Sequence, residues 1–192
     1  MRAAWFRARF RAYACVGLLL LIGTSATAQR HRDPLTQPEI DEVRDASWAP
    51  ELRLPLYVKF ARARLVALEQ MRSNPKTKDR PQQTHDRLDD FLLIYDELND
   101  NIDTYVDRKD DIRKPLKVIV DADTEFQAKL RALKDAADVS AEEAKQYEFV
   151  LTNALDTLDT SAVDHRKLLA DQEEAAKHRK RHDSKPSAEK SE

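Results

Sequence analysis

The chain has 192 residues, a formal net charge of −2, two glycines and one cysteine, and 35% of its residues are charged. Both glycines and the cysteine lie within the first 23 positions, so residues 29–192 contain neither residue type. Average usage of about 7% would place roughly eleven glycines there, and sheets use glycine for turns and bulges with positive φ. The composition therefore excludes a β-rich or α/β fold, and it excludes disulfides as the source of stability. It predicts an all-α protein with one packed core.

Residues 1–28 are organised as a secretory signal peptide. Four arginines between positions 2 and 11 form a basic region, residues 14–23 form an apolar stretch, and Ala26-Thr27-Ala28 forms a small-residue cleavage site. We expect cleavage before Gln29 and export to a periplasmic or extracellular location. An uncleaved anchor is the alternative, but ten apolar residues are too few to cross a bilayer. Removal of this leader changes the net charge from −2 to −6, because all four of its charges are basic.

Residues 29–35 form a polar N-terminal segment, and residues 36–176 are predicted to form an antiparallel helical bundle of about four long helices plus a short N-terminal helix. The sequence Thr36-Gln37-Pro38-Glu39 is a capping box that opens the short helix. Trp48 follows, and we expect it to pack this helix onto the bundle; an exposed Trp48 would instead indicate a contact site. The next helix is predicted to start at Pro50, to bend near Pro55 and to end near residue 72.

The central helix is predicted to span residues 81–112, after a loop that contains two prolines and no apolar residue. Its apolar seam, in steps of three and four, consists of Leu88, Phe91, Tyr95, Leu98, Ile102, Tyr105 and Ile112. Only Lys109 interrupts this pattern. Such a seam needs a partner surface, because an amphipathic helix gains most of its stability from packing. The sequence leaves open whether residues 110–115 form a turn or a kinked continuation of the helix.

Two further helices are predicted after Pro115. The first has its apolar stripe between residues 119 and 137, and it includes Val118-Ile119-Val120. The second opens at Ser140-Ala141-Glu142-Glu143, another capping box, and runs to residue 176.

Residues 177–192 are predicted to form a disordered basic and polar tail. Its candidate contacts for a polyanion or an anionic phospholipid are Lys177, Arg179, Lys180 and Arg181. The alternative is that these cations complement the negative end of the last helix.

Sites for chemistry are largely excluded by residue type and spacing. A phosphate loop, a dinucleotide fingerprint and a calcium loop each need a glycine that is missing. A carboxylate-bridged metal centre needs Glu-x-x-His on two helices, and no histidine here has a glutamate three residues before it. We therefore predict no catalytic residue, no metal ligand and no cofactor.

His165 falls in the apolar seam of the last helix, with Ser161 and Asp164 within one turn. A catalytic interpretation would make Ser161 the nucleophile, but a triad needs groups on separate elements beside an oxyanion hole. The sequence favours a partly buried histidine bonded to a neighbour.

No known family is recognised in these residues. Leu35-Thr36-Gln37 and Leu151-Thr152-Asn153 do not reproduce the Leu-Thr-x-x-Gln signature of small helical chaperones of the bacterial envelope. The sequence favours an exported, non-enzymatic bundle that acts by surface binding, as a chaperone-like, scaffolding or envelope-associated protein. One alternative is an enzyme or metal carrier with a site that cannot be recognised from residue spacing. The other is an envelope tether through the basic tail. The expected partners are a second copy or another envelope protein, with no nucleic acid and no transmembrane helix after leader cleavage.

Overall fold

The computed structural model describes residues 33–137 and 139–183, and their side chains as far as Arg179. Within these residues the protein is an all-α helical bundle without strands, which confirms the predicted fold class. The helices are α1 (Gln37–Asp45), α2 (Pro50–Ser73), α3 (Arg80–Asp107), α4 (Arg113–Lys134), α5 (Ala141–Lys145) and α6 (Glu148–Asp183). The predicted signal peptide, residues 29–32 and the last nine residues of the predicted tail lie outside the described residues.

The short helix α1 begins at the predicted capping box and packs on α2. The backbone N–H of Thr36 donates a hydrogen bond to Glu39 Oε2 at 2.7 Å. Arg64 of α2 donates to both carboxylate oxygens of Glu39, at 2.9 and 2.6 Å, and to the Pro34 carbonyl at 2.7 Å. A charged pair with two parallel bonds is strong and directional. Glu39 therefore both caps α1 and fixes it to the bundle.

Helices α2 and α3 form the first antiparallel hairpin. Arg53 near the start of α2 donates to Asn101 near the end of α3, at 2.9 Å. Arg72 near the end of α2 donates to Thr84 near the start of α3, at 3.1 Å. This pairing follows from the short loop between the two helices. Helix α2 runs through Pro55 from Pro50 to Ser73.

Helices α4 and α6 form the second antiparallel hairpin, with Arg131 bonded to Asp159 at 2.8 Å and Lys117 to Glu173 at 3.0 Å. The two hairpins pack side by side, with α2 beside α4 and α3 beside α6. Consecutive helices α3 and α4 are not among the closely packed pairs, so they lie on a diagonal of the bundle. The connection between them therefore crosses the end of the bundle.

The core lies where the two hairpins meet. Phe126 of α4 contacts Phe91 and Tyr95 of α3 edge to face, with ring centroids 5.4 and 6.4 Å apart. All seven residues of the predicted seam are buried, none more than 3% exposed. Burial of each large aromatic contributes about 2–3 kcal/mol. The central helix is therefore covered on its apolar face by both hairpins.

The end of α3 differs from the prediction. The helix ends at Asp107 rather than at residue 112, and Lys109 adopts a left-handed φ of 62°. The N–H of Lys109 donates to the Val106 carbonyl at 2.9 Å, and that of Asp110 to the Tyr105 carbonyl at 3.0 Å. These two bonds form a Schellman motif, in which glycine normally takes the left-handed position. The connection is therefore a turn and not a kinked continuation of the helix. Lys109 is the left-handed residue that terminates α3, and it does not interrupt a continuous helix.

The last predicted helix is divided. Ser140 caps the five-residue α5 by accepting a hydrogen bond from the Glu143 N–H at 3.2 Å. The Glu143 carboxylate does not return to the cap; it pairs with Arg72 and Arg80 at 3.1 and 2.6 Å. A two-residue turn then precedes α6, which continues to Asp183 and so extends past residue 176, where the sequence predicts its end.

Candidate functional site

A closed polar network lies in the core between three helices. Asp123 of α4 is fully buried; it accepts a hydrogen bond from the Tyr95 hydroxyl at 2.7 Å and lies 2.9 Å from His165 Nδ1. Tyr95 and His165 are 0% and 4% exposed. Burial, and then the negative charge of Asp123, raises the pKa of the Tyr95 hydroxyl, so this group stays protonated as a donor. Through these contacts Asp123 of α4 is connected to Tyr95 of α3, the helix diagonally opposite, and to His165 of α6.

This network resembles a catalytic triad only in composition. Two open cavities, of about 320 Å³ between the ends of α2 and α4 and about 400 Å³ at the start of α4, are lined by other residues. Ser161, the nucleophile of the catalytic interpretation, instead accepts a hydrogen bond from Asn99 at 3.1 Å. Because the three groups are closed off from substrate, their arrangement supports a structural role: a buried polar network that specifies how the helices pair.

Metal binding finds no support in the part of the chain that the structure describes. No group of three or more histidine, cysteine, aspartate or glutamate side chains there is arranged to hold a metal ion. His178, in the last described turns of α6, lies 3.6 Å from the Glu174 carboxylate of the same helix.

An exposed aromatic residue marks one end of the bundle. Trp48, at the corner between α1 and α2, is 61% exposed, so the prediction that it packs α1 onto the bundle is wrong. Two guanidinium groups flank its ring: the Cζ atoms of Arg53 and Arg108 lie 5.2 and 6.0 Å from the ring centroid. Leu52, in the first turn of α2, is 59% exposed. We call Trp48, Leu52, Arg53, Tyr105 and Arg108 the Trp48 site.

Arg53 fixes the shape of this corner. Besides its bond to Asn101, it donates to the Ser47 and Val43 carbonyls at 3.2 and 3.5 Å and to the Tyr57 hydroxyl at 3.4 Å. All four acceptors are neutral. The guanidinium is thus half-buried and well bonded, but its charge has no carboxylate partner among the described residues.

Tyr105 lies beneath the exposed side chains of the Trp48 site. The residue is 0% exposed, and Arg108 Cζ lies 5.5 Å from the centroid of its ring. Its hydroxyl has no hydrogen-bond partner within the described residues, although buried hydroxyl groups are almost always bonded. Burial raises the pKa of this hydroxyl, and nearby Arg53 and Arg108 lower it in part. The group is therefore a protonated donor at neutral pH.

The basic end of α6 reaches the same end of the bundle. Gln172 donates to the Asp110 carbonyl and accepts from the Ile112 N–H, at 3.2 and 3.1 Å, which ties α6 to the turn after α3. Beyond this point Lys177 and Arg179 are exposed, while the side chains of Lys180 and Arg181 lie outside the described residues.

Asp111, in the same turn, has a lowered pKa of about 2. The main cause is its hydrogen bonds from the Arg113 side chain, and the charge of Arg179 contributes. Three helix ends and the connecting turn thus meet at this end of the molecule.

Other exposed apolar residues are scattered. Phe149, in the first turn of α6, is 85% exposed. Val163, on α6, is 57% exposed. Single exposed apolar residues are normal on soluble surfaces. Trp48 differs from them because cations and a buried donor surround it.

Comparisons with protein-family models, with curated proteins and with solved structures find no match for this chain. Among the described residues no helix is both long and apolar enough to cross a membrane.

The sequence analysis did not identify Asp123, Leu52, Arg53 or Arg108 as members of these sites. Asp123 lies four residues after Ile119 and three before Phe126, so position 123 falls on the apolar stripe of its helix. A charged residue on such a stripe predicts a buried partner. Tyr105 was assigned to the seam, but the sequence gives no sign that its hydroxyl lacks a partner.

Proposed function

We propose that this protein is an exported, non-enzymatic helical bundle that acts by binding an envelope component through the Trp48 site. The observation that carries the proposal is Trp48 itself, a large aromatic side chain that is 61% exposed and held between two guanidinium groups. Tryptophan and arginine dominate the binding energy of most protein interfaces. A side chain held in place before binding loses little conformational entropy when a partner covers it.

A non-enzymatic role is supported by the position of the polar groups. Within the described part of the chain, Tyr95, Asp123 and His165 have catalytic residue types, but they are buried and bonded to one another. Catalysis requires a reacting group within hydrogen-bond reach of the substrate.

Site-specific photocrosslinking in cells that produce the full chain tests this proposal. A photoreactive phenylalanine analogue at position 48 should give a covalent adduct in the envelope fraction, and the isolated protein should begin at Gln29 by mass. The matched control carries the analogue at position 163, because Val163 has a similar exposure of 57%. Equal adducts at both positions, or none at position 48, would contradict a role for the Trp48 site.

A second candidate function is an envelope tether through the basic end of α6. The observation that favours it is that the helix extends to Asp183 and carries Lys177 and Arg179 exposed on its last described turns. Truncation after Ala176 should then abolish sedimentation with anionic vesicles at low salt, since such contacts depend on unscreened charge. Unchanged sedimentation of the truncated protein would remove this candidate.

A further inference from the structure

The charge of Arg53 is the first observation that indicates a ligand. A partly buried guanidinium gains most from a carboxylate or phosphate partner, which its planar donors match in pairs. Elsewhere in the described structure the partly buried arginines Arg64 and Arg72 have such partners, Glu39 and Glu143. Among the residues that the structure describes, Arg53 has only neutral acceptors. Its charge is therefore available to an anion from outside the chain.

The hydroxyl of Tyr105 is the second and independent observation. It is fully buried, it lacks a partner among the described residues, and it lies close enough to Arg53 and Arg108 for both charges to affect it. An unpaired buried donor is unfavourable unless something else accepts its hydrogen bond. An oxygen atom of an anion placed between the two guanidinium groups would do so.

We propose that Arg53, Tyr105 and Arg108 bind the phosphate group of an anionic phospholipid, while Trp48 and Leu52 contact the apolar part of the lipid surface. The inference rests on the proposed function, since it names the partner of the Trp48 site. A phospholipid combines the two features that the site requires, which are anionic oxygens and adjoining apolar surface. Tryptophan beside basic residues is typical of protein surfaces that lie at the boundary between headgroups and acyl chains.

The surrounding charges favour an anionic surface over a small soluble anion. Lys109 and Lys114 are exposed at the same end and have no ion pair among the residues described, and Lys177 and Arg179 project nearby from α6. The nearest opposing charge is Asp110, whose Oδ2 lies 3.3 Å from Arg108 Nε without hydrogen-bond geometry. Glu51 and Asp111 are also exposed at this end, and Asp111 is bonded to Arg113. Because the contact between Asp110 and Arg108 lacks hydrogen-bond geometry, the Arg108 guanidinium can turn toward a phosphate.

Binding to vesicles of defined composition tests the site. Trp48 fluorescence and co-sedimentation are measured with vesicles of equal parts phosphatidylglycerol and phosphatidylcholine, with vesicles of phosphatidylcholine alone, and with inorganic phosphate at the same phosphate concentration. Trp5 is replaced by phenylalanine in any preparation that retains the leader, so that Trp48 is the single tryptophan. The expected result is a blue shift and sedimentation with the anionic vesicles alone.

Matched variants identify the residues responsible. Tyr105→Phe should weaken binding to anionic vesicles about threefold to tenfold, the effect of losing one hydrogen bond to a charged group, and Arg108→Gln by at least as much. The controls, Tyr147→Phe and Lys76→Gln, remove one hydroxyl and one positive charge at the opposite end of the bundle and should leave binding unchanged. Asp110→Asn should tighten binding about twofold, because it removes the opposing carboxylate.

Each contrary outcome has a defined meaning. Equal binding by Tyr105→Phe and its control would overturn the phosphate site, and equal binding to neutral vesicles would overturn recognition of an anion. The same saturable shift with inorganic phosphate would overturn the lipid as its source. If these tests fail while position 48 still crosslinks to an envelope protein, the proposed function stands and only its lipid partner is rejected.

Discussion

Helix α3 carries two buried tyrosines, ten residues apart, whose hydroxyl groups have opposite surroundings. Tyr95 lies in the middle of the bundle and donates to Asp123, which also contacts His165. Tyr105 lies at the end of the bundle, below Arg108, with no acceptor among the described residues. The first site satisfies its own polar groups, whereas the second offers a donor and two cations. A buried polar group thus has a structural role where its partners are internal, and it indicates a binding site where they are missing.

The largest expected effect comes from Asp123→Ala in the closed network. The substitution removes the acceptor of two buried groups at once and should lower the free energy of unfolding by about 3–5 kcal/mol. Urea denaturation followed by circular dichroism measures it. The control is Asp121→Ala, an exposed position on the same helix, which should change stability by less than about 0.5 kcal/mol. Similar losses in the two variants would show that the network is not a stabilising feature.

The two tyrosines can be compared directly by removing each hydroxyl. Tyr95→Phe leaves one oxygen of Asp123 without its donor and should cost about 2 kcal/mol. Tyr105→Phe breaks no hydrogen bond described within the protein, so its stability should equal or slightly exceed that of the wild type. A cost of about 2 kcal/mol for both would show that Tyr105 has an internal partner, and the contrast between the two sites would fail.

Acidification should lower stability through the end of the bundle opposite the Trp48 site. There the Glu143 carboxylate lies between Arg72 and Arg80. The hydrogen bond from Arg80 chiefly lowers the pKa of Glu143 below its ordinary 4.5, against a rise from burial. A carboxylate with a lowered folded pKa contributes stability that is fully present above 4.5 and is lost as the pH falls through the folded value.

We expect the melting temperature to fall on acidification below pH 4.5 and to fall less steeply in Glu143→Gln, which costs about 1.5 kcal/mol at neutral pH. Parallel curves for the two proteins would mean that Glu143 does not carry this dependence. At the Trp48 end of the bundle, Arg53 has no carboxylate partner among the described residues and so should contribute no comparable pH dependence.

Lys109→Gly should stabilise the protein by about 1 kcal/mol. Lysine at a φ of 62° meets a steric penalty that glycine avoids, offset in part by the greater freedom of glycine in the unfolded chain. Thermal unfolding measures the change. Lys114→Gly, inside the first turns of α4, should have the opposite sign. A loss of stability in Lys109→Gly would contradict the left-handed turn.

A small loss of stability is expected at Trp48, the exposed residue on which the proposed binding function rests. Trp48→Ala should cost only about 0.5 kcal/mol, the value of exposed cation–π contacts, because the ring is mostly in solvent. Its chemical denaturation midpoint should therefore stay close to that of the wild type. A loss above about 2 kcal/mol would instead place Trp48 among the residues that hold α1 in position.

Local sequence signals predicted much of the fold. The missing glycines, the capping residues Thr36 and Ser140, and the seam around Leu98 gave the fold class and the starts of several elements. These signals come from composition, from capping residues and from periodicity, and none of them requires knowledge of which helices meet. The end of α3 was misplaced because left-handed backbone is usually marked by glycine, and Lys109 carries no such mark.

The candidate sites depended on features that the sequence does not express. His165 was expected to be partly buried and bonded to a neighbour, but the sequence did not identify that neighbour as Asp123, which comes from the adjacent helix α4. Trp48 was assigned to packing because it lies between the short first helix and Pro50. The ion pair between Arg64 and Glu39 instead fixes α1 to the bundle.

The five-residue connection between α3 and α4 divides the chain into two hairpins, and separation of the hairpins would expose the core that they share. Each half is a helical hairpin built from contacts near in sequence, and such units often open cooperatively in native-state hydrogen exchange. Tyr95 and Asp123 sit on opposite sides of that division and would part, whereas Arg53, Tyr105 and Arg108 all belong to the first hairpin and would remain together. Amide protons of α4 and α6 should then exchange as one group, at a rate unaffected by whatever occupies the Trp48 site.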